Sequence, residues 1–198
     1  MSNESAFFES WTNVPHVILG RKLQPLSIFH YVWLYQVGSP LVYTAKPATM
    51  ADLELAVLIC SSSTNEQVLA VLEGKGILQR MRNYFWRKAN RKRNLQTELT
   101  KFIAYNDDHI ALPEFYSSDT KEINERLPWL FVVAASLIKT TGWTEEKVFS
   151  MPIGKVFWLN LAFHYLETGK TSIISDKEQL AMKILGEMNA AGLTGAAV

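Results

Sequence analysis

Residues 76–94 read GILQRMRNYFWRKANRKRN and gather Arg80, Arg82, Arg87, Lys88, Arg91, Lys92 and Arg93, with no Asp or Glu between Glu73 and Glu98. Cations at this density can do three things. They can hold nucleic-acid phosphates while Tyr84, Phe85 and Trp86 stack on bases. They can meet an acidic protein surface. Or they can form the solvated face of a helix, paired with carboxylates elsewhere in the chain or on another subunit. The formal net charge is +1, so any basic field is local to this stretch. Arg80, Arg87, Lys88, Arg91 and Lys92 are the candidate partner-binding face. On a helix, Ile77, Met81, Phe85 and Ala89 fall at four-residue intervals, and this apolar stripe predicts a segment docked on the domain by that stripe. Between the two ligands an acidic protein is favoured, because no nucleic-acid motif accompanies the cations. A helix-turn-helix over 144–166 fails, since its second helix reads VFWLNLAFHYL and is too apolar to lie in a groove.

Other chemistry finds less support. Gly169-Lys170-Thr171 matches the end of a phosphate-binding loop, but that loop needs a glycine where this chain has His164, and a strand before it. The expected reading is a helix C-cap beside a lysine. His16, His30, His109 and His164 contain no i, i+4 pair, and none follows a Glu by three residues. His30 and His164 sit on apolar helices as core or boundary residues. Asp107, Asp108 and His109 are three polar loop residues that could touch a cation, yet no metal site is expected from them. Cys60 follows AVLI and reads as a buried hydrophobe. Ser61–Ser63 lack a nucleophile elbow. The expectation is a protein that is not an enzyme, with no catalytic residues, no cofactor and no metal.

The elements that must position the basic face are helices. Val14–Leu26 is the one extended stretch, a short hairpin or edge strand with Gly20 at its turn. Ser27 caps a helix to about Val37, ended by Gly38 and Pro40. Thr49 with Asp52 and Thr64 with Gln67 are capping pairs for two further helices. After Gly74 and Gly76 a single long helix is expected from about Gly76 to Tyr105. NDDHIALPEFYSSD is read as a loop and the place of any subdomain break, near 106–119. Pro128 opens the next helix and Gly142 stops it; Thr144 and Pro152 open two more, and Gly169 ends the last of these. Ser175 with Glu178 caps a final helix to about Asn189. The predicted fold is mainly α, a compact multi-helix domain over 1–190 with at most a short N-terminal hairpin, followed by a flexible tail at 191–198.

With 198 residues, 48% of them hydrophobic and 12% aromatic, the chain can bury a real core. A single cysteine excludes an intrachain disulfide framework and a cysteine metal cluster. MSNESAFFES has no basic stretch followed by an apolar run, so a signal peptide is not expected. Leu127–Ile138 is the longest uncharged apolar run; it is too short to span a bilayer and is expected as a buried helix. A cytoplasmic protein is expected, with no membrane partner.

Two passages, ILGRKLQPLSIFHYVWLYQVGSPLV and TGWTEEKVFSMPIGKVFWLNLAFHYLETG, carry a resemblance. The first is a Gly-basic turn, a Pro, an amphipathic helix and Gly-Ser-Pro. The second is a short helix with an acidic start, Met-Pro, then an aromatic-rich helix. Together they resemble the small helical proteins of tailed-bacteriophage and prophage structural gene clusters, in particular tail assembly chaperones. The resemblance implies a non-catalytic helper in the host cytoplasm that binds the tape measure protein and can recruit tail subunits, with self-association compatible. A nucleic-acid-binding accessory protein and a structural virion component are the alternatives. Many such chaperones are shorter than this chain, and the resemblance assigns no individual residue.

Overall fold

The computed structural model describes residues 14–42, 46–74, 76–110 and 128–169, together with 7, 11, 178, 180–184 and 187. The described chain is mainly α. Strand is confined to one antiparallel hairpin, β1 (Val17–Ile18) and β2 (Arg21–Lys22), with Val17 opposite Lys22 and Ile18 opposite Arg21. Eight helices with both ends described follow: α1 (Ile28–Gln36), α2 (Met50–Cys60), α3 (Asn65–Leu72), α4 (Ile77–Asn90), α5 (Leu95–His109), α6 (Trp129–Thr141), α7 (Glu145–Ser150) and α8 (Ile153–Thr168); residues 180–184 are helical as well.

The hairpin turn is Leu19-Gly20, and both residues have positive φ, 51° and 75°. That is the geometry a two-residue hairpin needs to match strand twist. Glycine adopts it freely; leucine does so only under constraint. The constraint is visible. The Leu19 N–H donates to Glu98 Oε2 of α5 at 2.8 Å, and its carbonyl accepts from Trp86 Nε1 of α4 at 2.8 Å. The Leu19 side chain is buried in the core. A Cβ on Gly20 would meet the Arg93 guanidinium at 3.3 Å, so Gly20 also gives the space over which Arg93 lies.

Helix starts follow their caps. Thr49 and Thr64 accept from Asp52 and Gln67 backbone N–H groups, and Thr144 from that of Lys147. At α1 the residue facing the Ser27 cap is His30, which a Glu/Gln rule would pass over. Its Nδ1 accepts from the Ser27 N–H at 3.2 Å, and its Nε2 lies 2.8 Å from the Ser62 carbonyl. The neutral ring with hydrogen on Nε2 satisfies both, and it ties the start of α1 to the end of α2. Gly142 and Gly169 close α6 and α8 in the left-handed conformation.

Two expected elements are corrected. The helix expected from Gly76 to Tyr105 is two helices, α4 and α5, broken at 91–94, where Asn94 caps α5 through the Thr97 N–H. Capping at Asn94 and the Glu98–Leu19 bond redirect the chain although its apolar spacing runs on. Residues 106–109, expected as loop, are the last turn of α5; His109 Nδ1 bonds to the Tyr105 carbonyl at 2.8 Å. Residues 111–119, the cap at Ser175 and the tail at 191–198 lie outside the described residues.

α2 is the centre of the core: Leu53, Ala56, Val57, Leu58, Ile59 and Cys60 are all buried, as suits a helix apolar nearly all round. α1 packs on α2 and α7, and α6 packs along α8. Phe102 and Tyr105 of α5 fill the other side, and the Tyr105 hydroxyl donates to the Gln24 carbonyl at 2.8 Å. α6 departs from the expectation of a buried helix. Leu130, Ala134 and Leu137 are buried, while Trp129, Phe131 and Val132 are exposed.

Glu98 is 4% exposed and its carboxylate also meets Lys101 at 2.7 Å and Arg93 at 3.4 Å. Burial pushes its pKa up, but Lys101, the Leu19 N–H and Arg93 together hold it below the usual glutamate value. Glu98→Ala is expected to cost about 2 kcal/mol in urea denaturation, because it orphans a buried N–H. Glu98→Gln, which keeps an acceptor, is expected to cost less. The lowered pKa means that this stabilisation is present above the ordinary glutamate pKa and is lost as pH falls through the folded one. The acid limb of stability against pH should therefore flatten in Glu98→Gln.

Burial lowers the pKa of His30 and of His109. The unfolded chain then binds more protons than the folded one below about pH 6.5. Wild-type stability is expected to begin falling there, at higher pH than the glutamate limb, and less steeply in His30→Asn.

Candidate functional site

α4 docks through a polar face, not through its apolar stripe. Asn83, Trp86 and Asn90 point inward: Asn83 accepts from Arg21 Nη2 at 2.9 Å, Trp86 donates to Leu19, and Asn90 Nδ2 donates to Glu54 Oε1 at 3.3 Å. The Arg21 guanidinium also lies 4.4 Å over the Trp86 ring. The expectation that Ile77, Met81, Phe85 and Ala89 dock the helix is thus overturned at the last three, while the Ile77 side chain lies outside the described residues. All three are exposed, Met81 by 52% and Phe85 by 59%, and Tyr84 beside them by 60%. The cause lies in the receptor. The surface beneath α4 offers a buried carboxylate on α2, Glu54, and the carbonyl of a hairpin turn. Both require donors, and amide and indole groups supply them where methyl groups cannot.

The five sequence-predicted cations do not share one environment. Arg80, in the first turn of α4, donates through Nε to the Gly74 carbonyl and so closes the end of α3. Arg87 Nε lies 3.7 Å from Glu54, with the side chain still 55% exposed. Lys88, Arg91 and Lys92 are exposed, and no carboxylate among the described residues is in ion-pair contact with them. Met81, Tyr84, Phe85 and Lys88 fall at three- and four-residue spacings on the outward side of α4. Tyr84 and Phe85 rings meet edge to face at 5.6 Å. The result is an aromatic and thioether patch bordered by cations on a helix pinned from behind.

A second surface has the opposite character, and nothing in the sequence reading singled it out. An open cleft of about 1140 Å³ runs between α1, the start of α3 and α7. Its apolar walls include Phe29, Trp33 and Phe149, and its rim carries Glu66, Glu145 and Glu146; among the described residues no Lys or Arg lines it. Trp33 Nε1 bonds to Asn65 at 2.9 Å across one end. The three glutamates sit in first turns of α3 and α7, where the helix dipole favours them. Because each serves its own helix, their convergence cannot be read from local sequence.

Of the remaining candidates, His164, expected as a core or boundary residue, is exposed on α8. Cys60 is fully buried, with burial pushing its thiol pKa up to about 12. Asp108 of α5 lies 2.9 Å from His16 Nε2. Among the described residues no group of three His, Cys, Asp or Glu is placed to hold a metal ion, and no helix is long and apolar enough to cross a membrane. The signal that could have found the true docking face was Asn83-Trp86-Asn90 at helical spacing, with one carboxylate, Glu54, inside the apolar run of α2.

If α4 docks by this face, Trp86→Ala should cost about 2–3 kcal/mol in chemical denaturation, while Phe85→Ala and Met81→Ala stay within about 0.5 kcal/mol of wild type. The opposite ranking would place the apolar stripe against the domain.

Comparison of the chain with protein-family models, with characterised proteins and with solved structures gives no match.

Proposed function

We propose that this chain is a non-catalytic assembly factor of the phage tail assembly chaperone kind, acting in the host cytoplasm. It holds an acidic, apolar segment of a tail protein, the tape measure protein foremost, on the outward face of α4. One observation carries the reading: Met81, Tyr84 and Phe85 stay exposed among Lys88, Arg91 and Lys92 on a helix whose other face is fixed. Exposed contiguous apolar surface rimmed by charge marks interaction sites in soluble proteins. Aromatic anchors would supply the affinity and the cations the choice of an acidic partner. The exposure of Tyr84 and Phe85 beside free cations also supports the second reading, single-stranded nucleic acid stacked on the rings.

Co-expression with the tape measure protein of the same gene cluster tests the first reading. The expected result is a soluble complex that co-elutes, lost in Phe85→Asp and in the triple variant Lys88→Glu, Arg91→Glu, Lys92→Glu. Absence of a complex, or equal complex formation by the variants, rejects it. Labelled DNA and RNA titrated at two salt concentrations test the second. Submicromolar binding of single strands, with log K falling about 0.7 per log salt for each phosphate neutralised and abolished in the triple variant, would replace the protein partner by nucleic acid.

A further inference from the structure

We infer that the acidic cleft between α1, α3 and α7 receives the α4 face of a second copy of this chain, so that copies associate head to tail. The two surfaces are complementary in charge and in apolar content. One presents Lys88, Arg91 and Lys92 around Phe85, Tyr84 and Met81. The other presents Glu66, Glu145 and Glu146 around Phe29, Trp33 and Phe149, with no Lys or Arg among its described lining residues. The chain is nearly neutral, at +1, because 20 Lys and Arg balance 19 Asp and Glu, so the contrast between the two faces comes from how the charges are placed.

The geometry excludes an internal solution. α4 is pinned by Trp86 on Leu19 and Asn90 on Glu54, so its outward face cannot turn into its own cleft. Two basic faces would repel one another, and so would two acidic clefts, which disfavours a symmetric pairing of like with like. A contact between two different patches is heterologous, and repeats until it closes a ring or runs on as a filament. Size also fits. Met81 to Lys88 is about 10 Å of helix, two turns, and a cleft of about 1140 Å³ has room for them. The inference needs only the free α4 face and does not depend on what tail protein binds there. A second copy and a tail segment would compete for that face.

Sedimentation velocity over a concentration series tests it, using the full chain at about 50 mM and about 500 mM salt, since exposed charge pairs are screened at the higher value. The wild type is expected to grow beyond a dimer with concentration at low salt and to dissociate at high salt. Lys88→Glu with Arg91→Glu should be monomeric, and so should Glu145→Gln with Glu146→Gln; circular dichroism and melting verify that each is folded. The first variant keeps an intact cleft and the second an intact basic face. Mixed, they should form a one-to-one complex and nothing larger. Should a cleft variant fail to fold, Glu66→Lys replaces it. A wild type monomeric throughout at low salt overturns the proposal, as does a basic-face variant that associates like wild type or a mixture of folded variants that stays monomeric. Self-association without tape measure binding would reject the proposed function alone; tape measure binding by a strictly monomeric chain would reject this inference alone.

Discussion

Leu19, Leu23, Leu26 and Ser27 bring the 19–27 segment into the core, yet only Arg21 and Lys22 of it belong to a strand, so its inward backbone N–H and C=O groups must find partners outside the hairpin ladder. They find them on five helices. Leu19 bonds to Glu98 of α5 and Trp86 of α4, Gln24 to the Cys60 carbonyl of α2 and the Tyr105 hydroxyl, Leu26 to the Ile153 N–H of α8, and Ser27 to His30 of α1. Unmet, each such group would cost on the order of 1–3 kcal/mol. The helices are thereby set around one irregular strap, and not only by their apolar stripes. This explains why a leucine is tolerated in the left-handed region at position 19, and why the chain breaks at 91–94 to bring both α4 and α5 onto the hairpin turn.

The same constraint decides what α4 shows to solvent. A helix with an apolar stripe and a polar face ordinarily buries the stripe, at about 25 cal/mol per Å² gained. Here the site beneath it presents a buried carboxylate and a turn carbonyl, and leaving those without donors would offset the gain from burying Met81 and Phe85. Polar docking therefore wins, and the apolar stripe is left outward beside Lys88, Arg91 and Lys92. Stability of the interior and availability of the surface are two results of one choice.

Charge is distributed with the same economy. Glutamates that begin α3 and α7 serve their own helices through the dipole, and the approach of those helix ends to α1 collects them on one rim. Cations late in α4 and in the turn after it likewise suit a helix C-terminus. Ordinary helix-end preferences, once folded, give a molecule with one basic aromatic face and one acidic aromatic cleft.

Much of the framework was legible in the sequence because it is local physics. Caps at Thr49, Thr64 and Thr144, stops at Gly142 and Gly169, and the Gly20 turn act within a few residues, so the mainly α class and most helix bounds could be read directly. The cluster of cations was legible for the same reason. Which face of α4 they border was not, because the periodicity of Met81, Phe85 and Ala89 states amphipathicity without saying what waits underneath. Only the approach of Glu54 and the Leu19 carbonyl, 36 residues and 67 residues away from their partners, decided that. The split of the long helix and the gathering of Glu66, Glu145 and Glu146 around Trp33 are of the same kind. They depend on contacts between distant segments, and such contacts exist only once the chain has folded.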